Sequence, residues 1–143
     1  MTEVKFYDPD FSPEDRLIYS VVTARYGDKW IFVRHHRRHT FEIPGGHIED
    51  TESPFEAAKR ELMEETGAIK FSLECVSTYS VTMGNETRFG RLYFAVVSEI
   101  GVVPDTSEIE EIAFMDNLPA AVTYPDIQPL LFKKMIEYLK ADF

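Results

Sequence analysis

The chain has 143 residues, 44% hydrophobic and 28% charged, which argues for one domain with a core large enough to need no covalent staples. Acidic residues outnumber basic ones by 25 to 15, a net charge of −10, which speaks against nucleic-acid binding through a broad basic face. The single cysteine, Cys75, rules out an intramolecular disulfide and a Cys-based zinc site; the charged first 16 residues show no secretory pattern, and the longest apolar run, Leu92–Val97, is too short for a bilayer. A cytoplasmic chain with no membrane partner is expected.

Residues 1–15, with Pro9, Pro13 and many charges, read as an arm or a short edge strand. Arg16–Tyr26 and Lys29–His35 are rich in Ile, Val, Tyr and Phe and flank Gly27-Asp28, which predicts a hairpin. Phe41–Ile43 predicts a short strand stopped by Pro44-Gly45-Gly46. Ser53–Thr66 carries the clearest helix signals: Ser53 as N-cap, Pro54 in the first position, Glu56 to close a capping box, and Gly67 as a left-handed C-cap. Phe71–Thr82 and Thr87–Ser98 predict a second strand pair around Met83–Glu86, and Glu111–Met115 another strand. Asp126–Lys140 predicts a closing helix with Ile127, Leu130, Leu131, Met135 and Tyr138 facing inward. Strands around one internal helix, with a second helix at the end, suggest an α+β fold whose mixed sheet is covered on both faces.

On a wheel of about 100° per residue, Phe55, Ala58, Leu62 and Thr66 share the side expected to pack on the sheet. Glu61, Glu64 and Glu65 fall nearly opposite within an arc of about 100°, with Arg60 at its edge and Ala57 inside it. Carboxylates at i, i+3 and i+4 repel one another, and a divalent cation reverses that sign. Mg²⁺ takes oxygen ligands and commonly binds through one or two carboxylates plus substrate phosphates. The competing reading is a glutamate-rich helix face bathed in solvent.

Gly46, Glu52, Arg60, Glu61, Glu64, Glu65 and Gly67, with apolar Leu62 and Ala68, fill the pattern G-x5-E-x7-R-E-U-x-E-E-x-G-U, where U is apolar. Seven fixed matches at one start arise by chance with a probability on the order of 10⁻⁸. The segment thus resembles the signature box of the Nudix hydrolases. That resemblance implies an α/β/α sandwich with a mixed β-sheet, one Nudix domain over residues 1–143 with its box at 46–68, and hydrolysis of a phosphoanhydride with Mg²⁺ or Mn²⁺. By position it makes Glu61, Glu64 and Glu65 metal ligands together with the backbone carbonyl of Gly45, and Glu61 a candidate general base. Glu108, Glu110 and Glu111 are downstream alternatives for a base or a further ligand. Arg60 stands four residues before Glu64, the spacing of a positioning pair, and Glu52 braces the loop while Gly46 and Gly67 are structural. With cations present, a net charge of −10 is no obstacle to an anionic substrate.

Arg34–His39 is the only basic run, where Arg37 and Arg38 are candidate phosphate contacts and a solvated hairpin end is the alternative. Its three histidines raise a zinc question that no carboxylate at ligand spacing supports. Trp30, Phe41, Tyr79, Phe89 and Tyr93 read as packing more than base stacking, and Cys75 as a small buried hydrophobe. The expected partner is a small-molecule nucleotide. The leading reading is cleavage of a (deoxy)nucleoside triphosphate of the 8-oxo-dGTP type to monophosphate and pyrophosphate, as in the MutT-type branch. The alternatives are a nucleoside-diphosphate-sugar or dinucleotide pyrophosphatase and a non-catalytic nucleotide-sensing module.

Overall fold

The computed structural model describes residues 1–141. Along them run β1 (Thr2–Tyr7), β2 (Leu17–Tyr26), β3 (Lys29–His35), β4 (Gly45–His47), α1 (Pro54–Thr66), β5 (Ala68–Met83), β6 (Glu86–Ile100), β7 (Ile109–Met115) and α2 (Gln128–Ala141). The strands form one mixed sheet in the order β1-β5-β6-β2-β3-β7, with β4 joined to β2 beside that path. Only β2 and β6 pair in parallel, from Leu17↔Phe89 to Tyr26↔Val97. The N-terminal residues supply an edge strand, with Thr2–Tyr7 antiparallel to Thr78–Met83.

Alternation along the strands divides the core between the two faces. Val21, Trp30, Phe32, Leu92 and Phe94 pack with Leu131, Phe132 and Met135 of α2. Val22, Ile31, Tyr93 and Ala95 pack with Ala58 and Leu62 of α1. The mixed sheet between helices is thus as expected. In α2, however, Leu130 points outward and is 42% exposed, while Phe132 takes the inward place against the Trp30 ring. Ile127 and Tyr138 do flank the core.

The helix α1 begins and ends as its sequence dictates. Ser53 Oγ accepts from Glu56 N–H at 3.1 Å, and Glu56 Oε1 accepts from Ser53 N–H at 2.9 Å. Gly67 closes the helix at φ 75°, and a Cβ there would meet the Gly101 carbonyl oxygen at 2.6 Å. Gly67→Ala should therefore lower the stability by at least about 1–2 kcal/mol, read as a reduced denaturant midpoint at unchanged m-value.

The expected strand Phe41–Ile43 does not form. Glu42 exchanges both backbone hydrogen bonds with Val33, Phe41 bridges to Val122, and Pro44 O accepts from Val22 N–H. These residues cross from β3 to β2 and cannot follow either ladder. The regular strand comes four residues later, at the glycines expected to stop it. Tyr19, Ser20 and Val21 pair with His47, Gly46 and Gly45. A Cβ on Gly45 would lie 2.6 Å from Ser20 O, so this approach requires a residue without one. Because β2 pairs with β3 only at Arg25–Tyr26 and with β4 at Tyr19–Val21, its edge is shared and the sheet opens between them.

Candidate active site

The opening faces α1. Ala57 and Glu65, placed by the wheel on the side away from the sheet, are 0% and 6% exposed, because β4 covers them. Phe55, expected to pack inward, is 47% exposed at the helix start. The carboxylate face is therefore graded in burial. Glu65 is sealed with its Oε1 accepting from Gly45 N–H at 2.9 Å, Glu61 keeps 13% side-chain exposure, and Glu64 keeps 50%. Residue 46 must be small here, since a Cβ would fall 2.6 Å from Glu61 Oε1.

Burial sets the electrostatics. Desolvation pushes the Glu65 carboxyl up to about 8; the Gly45 N–H and His35 oppose this, and the Glu61 and Glu42 charges add to it. Desolvation also raises Glu61, against the pull of Arg60 and with the push of Glu64 and Glu52. Two carboxyls that resist ionisation side by side form a site prepared for compensating positive charge.

Arg60 ties the face to the preceding loop. Its Nη2 and Nε donate to Glu52 at 2.6 and 3.0 Å, Nη1 to Glu61 at 2.8 Å and to Glu64 at 3.4 Å, and Nη2 to His47 O at 3.1 Å. The Glu52 pair is thus closer than the Glu64 pair suggested by helical spacing. Glu52 also accepts from Glu49 N–H at 2.9 Å, and the Arg60 hydrogen bonds hold its carboxyl below the usual range. Loop 47–52 is braced through these two side chains.

From the basic run, His35 turns inward. Its Nε2 lies 2.6 Å from Glu42 and 3.6 Å from Glu65, and its Nδ1 lies 3.8 Å from Glu108. The Glu42 hydrogen bond raises the His35 pKa; burial opposes it. Glu108 is exposed at the rim of the opening, whereas Glu111 pairs with Arg34 across β3 and β7 at 3.2 Å and Glu110 is exposed on β7, away from the opening's lining. Arg37 and Arg38 both line the opening, and Arg38 donates to Tyr124 Oη at 3.2 Å while lying over its ring. Glu42, Tyr124 and Gln128, none marked by a motif, line it too. Of the residues read as packing, Trp30, Tyr79 and Tyr93 are buried, Phe41 flanks the core, and Phe89 makes tilted ring contacts with Tyr7 and Phe11. Cys75 is half-buried, with its thiol pushed up by burial.

The opening is a cavity of about 1120 Å³ running from Gly45-Gly46 and His35 to Tyr79 and the start of α2. Its volume suits a nucleotide. Among the described residues, no three His, Cys, Asp or Glu side chains already converge on a metal position. The donors along this face are nonetheless all carboxylate oxygens, and that set fits Mg²⁺ or Mn²⁺.

Comparison with known proteins agrees with this geometry. Residues 16–130 match the family model described as NUDIX domain. The chain is 32% identical over 117 residues to Bacillus subtilis YtkD, provisionally named an 8-oxo-dGTP diphosphatase, covering 82% of this chain and 72% of that protein. It superposes on the crystal structure of the Bacillus subtilis pyrophosphohydrolase BsRppH (E68A mutant) with a TM-score of 0.77 at 29% identity, over 95% of this chain and 90% of that one. A UDP-X diphosphatase shares the fold at a TM-score of 0.73 and 18% identity, over 92% of this chain and 67% of that one. No helix among the described residues is long and apolar enough to cross a membrane. With the box in place on α1 and the family model spanning most of its length, the chain belongs to the Nudix hydrolases.

Proposed function

We propose that the protein cleaves a (deoxy)nucleoside triphosphate of the 8-oxo-dGTP type to the monophosphate and pyrophosphate, using Mg²⁺ or Mn²⁺. The observation that carries this reading is the graded carboxylate face of Glu61, Glu64 and Glu65 lying against Gly45-Gly46 at one end of a nucleotide-sized cavity. The names of YtkD and BsRppH, a diphosphatase and a pyrophosphohydrolase, point to the same class of bond.

Nudix hydrolases generally need divalent cations, and here the Gly45 carbonyl, Glu61, Glu64 and Glu65 would hold them. Bound there, they supply activation of water and neutralisation of phosphate charge. The protein's own groups do the rest. Arg60 holds Glu61 and Glu64 in place through the contacts given above, so it is a positioning residue. Glu61 takes the proton from the attacking water; Glu108, at the rim beside His35, is the alternative base. Arg37 and Arg38, which line the cavity, contact the phosphates. Residues 1–143 act as one domain, and the partner is the small-molecule nucleotide alone.

The product balance tests the reaction. With Mg²⁺, 8-oxo-dGTP or dGTP should yield equal amounts of monophosphate and pyrophosphate, followed by ion-exchange chromatography. Accumulation of nucleoside diphosphate with orthophosphate would place the cleavage at the wrong anhydride.

A further inference from the structure

The cavity is also lined by two polar groups that the phosphate chemistry does not use. Gln128, the first residue of α2, is 7% exposed, and its Oε1 accepts from the Ile43 backbone N–H at 2.7 Å. That donor can be met only by the amide oxygen, so the orientation of the amide is fixed and its NH₂ must face the other way. No protein group accepts from Nε2, yet no buried side-chain N or O among the described residues is sealed without a partner. The NH₂ therefore opens into the cavity that Gln128 lines. Tyr79, 3% exposed on β5, is similar: among the described residues its hydroxyl has no hydrogen-bond partner, it is not sealed, and the residue lines the same cavity. Apolar Ile43, Val81, Ile127 and Leu131 line the same cavity.

A few directed donors in an apolar pocket are what a cavity uses to choose among flat ligands. We infer that Gln128 and Tyr79, two donors lining one cavity, read the nucleobase, selecting a base with a ring carbonyl over its amino counterpart. This rests on the cavity being the seat of a nucleoside phosphate. A ring carbonyl oxygen accepts a hydrogen bond from either donor, the Gln128 NH₂ or the Tyr79 hydroxyl. An exocyclic amino group instead sets N–H against N–H and leaves the buried amide unpaired, a loss that corresponds to about tenfold or more in affinity. Because Oε1 is occupied by Ile43, the amide cannot turn over to accept from an amino group without stranding that backbone N–H.

The test compares inosine with adenosine nucleotides and uridine with cytidine nucleotides, pairs that differ only in carbonyl against amino substitution and the associated ring proton. kcat/KM is measured for the triphosphates with Mg²⁺, and binding of the monophosphates is measured by calorimetry without metal. The wild type should favour the carbonyl member of each pair by about tenfold or more in both measurements. Tyr79→Phe keeps the ring, and Gln128→Glu keeps an acceptor for Ile43; each should shrink that ratio, with Gln128→Glu moving it toward the amino base. Ratios near one in the wild type, absence of monophosphate binding, or a preference unchanged in both variants would overturn the inference. Preferential monophosphate binding without turnover of any triphosphate would instead support base reading and reject the proposed reaction. Turnover with equal ratios would do the reverse.

Discussion

Excess chelator should abolish turnover, and added Mg²⁺ or Mn²⁺ should restore it and raise the melting temperature. Glu61 and Glu65 lie side by side, both raised by desolvation, so they ionise fully only when cations compensate their charge, and the same cations offset the charge of a polyphosphate. A ligand that binds only the folded state stabilises it by about 2.7 kcal/mol at a hundred times its Kd, which a thermal melt detects. The pH dependence has a definite sign. Burial pushes the folded Glu65 carboxyl up to about 8 against an ordinary value of 4.5, so between these values the metal-free folded state holds a proton that the unfolded state has lost. The metal-free protein should therefore lose stability as pH rises from about 4.5 to 8. Cation binding should release a proton within that window, measurable as acidification of a weakly buffered sample. Full turnover in chelator, or melting insensitive to both cations, would remove the metal site from Glu61, Glu64 and Glu65.

Glu61→Gln should lower kcat by about 10²-fold or more, because the amide keeps size and an oxygen but cannot accept the proton of the attacking water. The metal-free variant should melt no lower than the wild type at pH 7, since burial already disfavours the charge that is removed and Arg60 keeps its two contacts to Glu52. Glu56→Gln is the control: Glu56 closes the capping box at the helix start, and glutamine closes it as well. Its kcat should stay within a few-fold. Equal losses in both variants would reduce the helix to a charged surface. Normal turnover in Glu61→Gln together with a loss of about 10²-fold in Glu108→Gln would move the base to the rim beside His35.

Most of the secondary structure was legible because its causes are local. The capping box at Ser53 and Glu56, the left-handed Gly67 and the alternation that assigns Val21 and Val22 to opposite faces act over one to four residues. Phe41–Ile43 departs from expectation because its composition suits a strand, while its backbone hydrogen bonds are divided between Val33, the segment at 121–123 and the Gln128 side chain. Leu130 and Phe55 were misplaced for a related reason: a wheel gives the angle between side chains, but the packing partner decides which angle is inward.

The sequence by itself determined that Glu61, Glu64 and Glu65 share a helix face with Arg60 at its edge, because 3.6 residues per turn leaves no other arrangement. It could not say that this face is covered, since the cover is β4, held in place by pairing with Tyr19–Val21. Tertiary structure alone made Arg60 the partner of Glu52 ahead of Glu64, drew His35 out of a basic run to Glu42, Glu65 and Glu108, and turned Gln128 onto Ile43 across 85 residues of chain. Those contacts join residues whose separation follows no helix or strand period; they are set by how the sheet opens between β3 and β4.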